Sequence, residues 1–282
     1  MEYFLDMPRQ YTDYEQAKAV LLPVPYDGTS TFVKGADKGP QAIIDASDSI
    51  ELYDIEEDTA IYTQGIHTAK PVLENTSPEW MTQSVYERVK TYLKDGKWVG
   101  LLGGEHSVSF GAIKATAEKY PNLTVLQLDA HADLRETYLN SPYNHACVMR
   151  RAQEVAKIVQ VGIRNVCEEE RQFIVPENVF YAHKIRHSES WMQAAIDRMS
   201  ENVYLTIDLD VFDPSILPAT GTPLPGGMTW WQVMDFISMV NNQRNIVGFD
   251  VVELCPHVED KSSDVLAAVL TYKIITKVLK KS

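Results

Sequence analysis

Three short stretches of this chain carry side chains suited to holding divalent cations. The first, Leu101-Leu102-Gly103-Gly104-Glu105-His106-Ser107, is an apolar run that turns at two glycines and delivers an acid and an imidazole. The second, Leu128-Asp129-Ala130-His131-Ala132-Asp133, places potential ligands at alternate positions, so that extended backbone would aim Asp129, His131 and Asp133 at one point. The third, Leu205-Thr206-Ile207-Asp208-Leu209-Asp210, alternates Asp208 and Asp210 in the same way. Carboxylate and imidazole without thiolate suit Mn²⁺, Fe²⁺ or Zn²⁺. His106, Asp129, His131, Asp133, Asp208 and Asp210 make six groups, four of them anionic, which is more negative charge than one ion needs. Crowded carboxylates raise one another's pKa unless a cation lies between them. Two ions sharing carboxylates satisfy the count, and such a pair can hold a hydroxide at neutral pH as a nucleophile. Asp213, before Pro214, reads instead as a turn or supporting residue.

These clusters need a scaffold that brings distant parts of the chain to one place. Apolar runs at Ala19 to Val24, Trp98 to Leu102, Leu123 to Leu128, Ile158 to Val161, Val203 to Ile207 and Ile246 to Val252 read as buried strands. Helical patterns lie between most of them, as at Trp80 to Lys94, Phe110 to Lys119, Ser190 to Met199, Trp230 to Asn241 and Ser263 to Lys280. Alternating strands and helices predict a parallel sheet covered on both faces. Each candidate cluster follows a strand, and the C-terminal edge of such a sheet is where ligands bind.

The bulk properties agree with an ordinary globular protein. The 282 residues are 45% hydrophobic and 23% charged, with no composition break that would mark a linker, so one domain over 1–282 is expected. A net charge of −13 disfavours nucleic acid and suits metal cations or a cationic substrate. Cys147, Cys167 and Cys255 are too few and too widely spaced for a disulfide framework or a zinc knuckle. No apolar run reaches the roughly 18 residues that span a bilayer, and Met1 to Asp6 does not resemble a signal peptide. A soluble cytoplasmic protein without membrane contact is the expectation.

Taken in order, Gly103-Gly104-Glu105-His106, Asp129-Ala130-His131-Ala132-Asp133 and Asp208-Leu209-Asp210-Val211-Phe212-Asp213-Pro214 resemble the hallmarks of the arginase/agmatinase (ureohydrolase) family. The likeness extends upstream through Asp27-Gly28-Thr29-Ser30 and Gly39-Pro40, and downstream through Thr220-Gly221-Thr222-Pro223 and Gly248-Phe249-Asp250-Val251-Val252-Glu253. It implies a three-layer α/β/α fold with a mainly parallel eight-stranded sheet, two Mn²⁺ ions per chain and a homo-trimer or homo-hexamer. By motif match, His106, Asp129, Asp133 and Asp208 would hold one ion and Asp129, His131, Asp208 and Asp210 the other, so Asp129 and Asp208 would bridge. The resemblance makes His145 a proton shuttle at the site mouth, and Glu253 the carboxylate that pairs with a substrate guanidinium. Asp133 would pass a proton to the leaving amine. Glu253 is noticeable unaided, because a carboxylate in an apolar strand needs a cationic partner.

The family's substrates are guanidinium compounds, and the loop before His145 bears on the choice. Arginases typically carry a Ser-Gly-Asn-x-His pattern there to hold the amino-acid head; this chain has Ser141-Pro142-Tyr143-Asn144-His145. A missing hydrogen-bond partner should discriminate strongly against arginine. Agmatine is therefore expected, yielding putrescine and urea. Aminopropylagmatine is the nearest alternative, and guanidinobutyrate fits if Arg135 points inward. Two departures from the family pattern are Glu105, where many relatives have Asp, and Val33 to Lys38, which lacks the usual Arg and Pro. A metal-dependent deacetylase is a rival reading, but such enzymes use one metal and a His-His pair that this sequence lacks.

Overall fold

The computed structural model describes residues 3–281. Eight strands form one sheet: β1 (Ala19–Val24), β2 (Ile66–Thr68), β3 (Trp98–Gly103), β4 (Thr124–Leu128), β5 (Lys157–Val161), β6 (Val179–Phe180), β7 (Asn202–Asp208) and β8 (Asn245–Val252). Their order is β2-β1-β3-β8-β7-β4-β5-β6, and every adjacent pair is parallel. The six apolar runs are all strands. The short edge strands β2 and β6 have no run long enough to announce them.

Helices α1 (Gly39–Ser47), α6 (Ser190–Ile196), α7 (Trp230–Gln243) and α8 (Ser262–Lys281) cover one face, while α2 (Pro78–Lys94), α3 (Ser109–Lys119) and α4 (Val148–Ala152) cover the other. The short helix α5 (Ala182–Ile185) adds Ile185 to the first of these cores. Alternation along the strands feeds both cores. Val203, Leu205 and Ile207 of β7 pack towards α6–α8, and Tyr204 packs towards α2 and α3. The result is three layers, as parallel sheets with two covered faces require. Among the described residues, no helix is long and apolar enough to cross a membrane.

The face towards α2 and α3 is not wholly apolar. Gln160, Gln127, Thr206 and Asp250 stand opposite one another on β5, β4, β7 and β8, all buried, just behind the C-terminal rim. The rim is where each expected site residue emerges.

Three local expectations are corrected by the structure. Glu253 does not sit within a strand. Strand β8 ends at Val252, and Glu253 takes a left-handed backbone with φ 67°, its N–H donating to the Gly104 carbonyl at 2.8 Å. Nor do Asp129, His131 and Asp133 converge through continued strand geometry. Strand β4 ends at Leu128, and Asp133 has φ 52°, so a tight turn, not a pleat, aims these side chains. Asp210 likewise lies in a 3₁₀ turn (Leu209–Val211) beyond β7.

Gly104 is needed for this packing because a Cβ there would stand 2.0 Å from the Tyr26 carbonyl oxygen. That contact is with backbone and cannot be relieved by a rotamer change. Gly104→Ala should therefore lower stability by about 1–3 kcal/mol in urea titrations, as overpacking does. It should also reduce metal retention by shifting His106. An unchanged midpoint with full metal content would contradict this account of the turn.

Candidate active site

All six ligand-type side chains converge. His106 Nδ1 stands 3.1 Å from Asp133 Oδ2, 3.2 Å from Asp129 Oδ2 and 3.5 Å from Asp208 Oδ2. His131 Nδ1 stands 2.9 Å from Asp210 Oδ2 and 3.7 Å from Asp129 Oδ1. Two groups, His106–Asp129–Asp208 and Asp129–His131–Asp210, each bring their ligand atoms together closely enough for a metal ion, and Asp129 belongs to both. Asp208 belongs only to the first; its Oδ1 accepts the Asp210 N–H at 2.9 Å.

The residues fit a pair of dications on a specific observation. His106 is 1% exposed, and its Nδ1 has no hydrogen-bond partner although three carboxylate oxygens face it. A lone pair pointing at acids is repulsive unless a cation stands between them. Without such an ion, protons take its place. The Asp129, Asp133 and Asp208 carboxylates raise the His106 pKa well above the usual imidazole range despite burial, which opposes this. For His131, Asp210 and Asp129 likewise overcome burial and push the value up to about 12. Burial, with Asp210 and Asp129 nearby, pushes Asp208 well above the carboxylate range, and burial plus the Asp129 charge raises Asp133 to about 7. Burial would also raise Asp129, but the two imidazoliums outweigh it and hold its carboxyl low.

Backbone and neighbouring side chains fix the ligands. Asp129 Oδ1 accepts the His131 N–H at 2.6 Å, and Asp210 Oδ1 accepts the Ala130 N–H at 3.0 Å. Gln127 Nε2 donates to Asp129 Oδ2 at 2.7 Å. Arg164 fastens the Asp208–Asp210 turn from below, donating to the carbonyls of Asp210, Phe212 and Leu224 at 2.5, 3.3 and 2.9 Å. Asp213 accepts from Ser215, Gly226 and Gly227, a turn-fixing role in keeping with its sequence reading. Arg164, Gln127 and Thr206 were not picked out by sequence reasoning, since isolated polar residues in or just after strands carry no motif.

Above the cluster opens a cavity of about 320 Å³ whose wall includes His131, Asp133, Asp208, His145 and Glu253. Glu253 is buried, and its Oε1 accepts the His106 N–H at 2.7 Å. Burial first, and then Glu105, raises its pKa well above the carboxylate range. His145 opens a 3₁₀ turn, with Nδ1 3.2 Å from the Thr29 hydroxyl, to which its own N–H donates at 3.0 Å. Burial and the charges of His106 and His131 lower it to about 4, so it is neutral at physiological pH.

The family model for the arginase family matches residues 17–276. The chain belongs to the arginase family. It is 35% identical to the N(1)-aminopropylagmatine ureohydrolase of Synechocystis, covering 96% of this chain and 94% of that protein. It is 37% identical to the enzyme of the same name from Thermus thermophilus, covering 94% and 91%. Among solved structures, the agmatine ureohydrolase of Thermoplasma volcanium superposes with a TM-score of 0.85 at 31% identity, over 94% of this chain and 91% of that one. The expected arginase-like fold is thus the one observed. Six ligand-type groups are also more than the one-metal site of the deacetylase reading would use.

Metal loading of this arginase-family site must displace protons. His106 and His131 have raised pKa values without metal, so both imidazoles are charged at neutral pH and must become neutral to donate a lone pair. Apparent affinity for Mn²⁺ should therefore rise with pH across the neutral range. Calorimetric binding enthalpy should scale with the ionisation enthalpy of the buffer. A buffer-independent enthalpy would contradict the charge state assigned here.

Proposed function

We propose that this chain is a two-metal ureohydrolase that releases urea from the terminal guanidinium of a small cation, with agmatine as substrate and putrescine as the second product. The observation that carries the reading is the gathering of His106, Asp129, His131, Asp133, Asp208 and Asp210 beneath the same cavity that buries Glu253. The same reading takes manganese as the metal, His106 and His131 as ligands on separate ions, a cytoplasmic location and a homo-trimer or homo-hexamer.

Two divalent ions, when bound, supply a nucleophile by lowering the pKa of a shared water. The protein's own groups do the rest. Glu253 is held in place through Oε1 by the His106 N–H, which leaves Oε2 to receive a guanidinium N–H. The guanidinium supplies the positive charge that this buried carboxylate otherwise lacks. Asp133 reaches both the cluster and the cavity wall, where it can carry a proton to the departing amine. His145, neutral and tethered to Thr29 at the cavity wall, relays protons to and from solvent.

The cavity wall bears on the substrate. Ser141 is not part of it; its hydroxyl accepts the Tyr143 N–H at 3.1 Å and lies 3.3 Å from Glu79. Arg135 does line the cavity, the placement that guanidinobutyrate would need. Its guanidinium, however, lies 4.6 Å from the centre of the Tyr138 ring and 3.8 Å from Glu169, so its charge is already shared. These placements favour a substrate without a carboxylate. Aminopropylagmatine is the second reading. It is favoured by the names of the Synechocystis and Thermus relatives.

The deciding assay measures urea from agmatine, aminopropylagmatine, guanidinobutyrate and arginine with added Mn²⁺. Agmatine or its aminopropyl derivative should be preferred; a clear preference for arginine would overturn the substrate reading and leave the metal site intact. Glu253→Gln should lower kcat/KM by roughly thirtyfold or more, in line with the ~2–5 kcal/mol lost on breaking a buried charge pair. Its metal content should not change. Asp129→Asn, by contrast, should lose activity and metal together.

A further inference from the structure

The buried polar row of Gln160, Gln127, Thr206 and Asp250 lies across four neighbouring strands, directly behind the six ligand-type side chains. Covered strands of a parallel sheet are ordinarily aliphatic at such positions, because each polar group there must find a partner. Here the partners run towards the site. Gln160 Nε2 donates to Gln127 Oε1 at 2.5 Å and to the Ala132 carbonyl at 2.8 Å. Gln127 Nε2 passes the chain on to Asp129 Oδ2 at 2.7 Å and to the His131 carbonyl at 3.2 Å. On the other side, the Thr206 hydroxyl donates to Asp250 Oδ1 at 2.6 Å and stands 2.9 Å from His106 Nε2.

With Asp250 ionised, the direction of that second chain sets which nitrogen of a neutral His106 carries hydrogen. A hydroxyl has one proton, and Thr206 gives it to the Asp250 carboxylate. Thr206 can then only accept from His106, so Nε2 is the N–H. In the neutral ring, Nδ1 is left with the lone pair, and Nδ1 is the atom facing the oxygens of Asp129, Asp133 and Asp208 without a hydrogen-bond partner. The opposite tautomer would turn a donor towards the carboxylates and leave nothing on His106 to hold a cation.

We propose that Thr206 and Asp250 are positioning residues for metal binding, fixing His106 in its Nε2–H tautomer, and that Gln127 and Gln160 do the same for the orientation of Asp129. The inference rests on the two-metal reading above. It concerns metal affinity alone, so a failure to release urea from any substrate would leave it standing. Groups that orient metal ligands in this way typically account for about 10–100-fold in affinity.

The test is Mn²⁺ titration of the full chain by calorimetry, without substrate. Thr206→Val keeps the shape of the side chain and removes both hydrogen bonds. It should weaken at least one of the two ions by roughly 10–100-fold. Thr206→Ser keeps the hydroxyl and should stay within a few-fold of the parent affinity. Circular dichroism of the metal-free chains confirms that both variants fold. If the valine variant does not fold, Asp250→Asn carries the test from the far end of the relay. An amide is a weaker acceptor for the Thr206 hydroxyl than a carboxylate, and affinity should fall in the same sense. Parent-like binding of both ions by a folded Thr206→Val chain, or by Asp250→Asn in its place, would overturn the proposal. So would a serine variant as weak as the valine one.

Discussion

Mutual repulsion among buried acids is the constraint on which this structure turns. Asp129, Asp133, Asp208, Asp210 and Glu253 all lie buried at one end of the sheet. Isolated charges in such a place would neutralise themselves by changing protonation. The raised values at Asp208, Asp133 and Glu253, and the imidazoliums required at His106 and His131, show how the metal-free chain copes. Cations relieve the same stress without protons. In the proposed function a pair of dications would answer the cluster and a guanidinium would answer Glu253, so one electrostatic problem would have two successive solutions on one rim.

The sheet makes this crowding mechanically possible. Parallel strands deliver their C-termini to one edge, so residues from β3, β4, β7 and β8, far apart in sequence, meet there. Tight turns then do the aiming: a glycine at 104, left-handed backbone at Asp133 and Glu253, and a 3₁₀ turn at Asp210. Arg164 braces one of these turns by its carbonyls. A rigid frame of this kind holds the acids close despite their repulsion, which is what a preorganised metal site requires.

Much of this was legible in the sequence. The six long strands stood out as apolar runs, and the ligand-type residues stood out because acids and histidines directly after such runs have no packing role to explain them. Asp129, His131, Asp133, Asp208 and Asp210 declared themselves by spacing, although the structure replaces strand alternation with turns as its cause. The edge strands β2 and β6 were not legible, because two or three residues make no pattern. Glu253 looked like a strand residue because Val251 and Val252 precede it; nothing in those letters reveals the left-handed turn. Thr206, Gln127, Gln160 and Arg164 were invisible for a different reason. Their roles depend on which strands become neighbours and in what register, which is a property of the whole fold.

The measurement that tests the central claim most directly is anomalous diffraction at the manganese edge from crystals grown with Mn²⁺. The account predicts two peaks per chain, one against His106 and Asp133 and one against His131 and Asp210, with Asp129 reaching both. A single peak, or carboxylates splayed around a space without any, would contradict it.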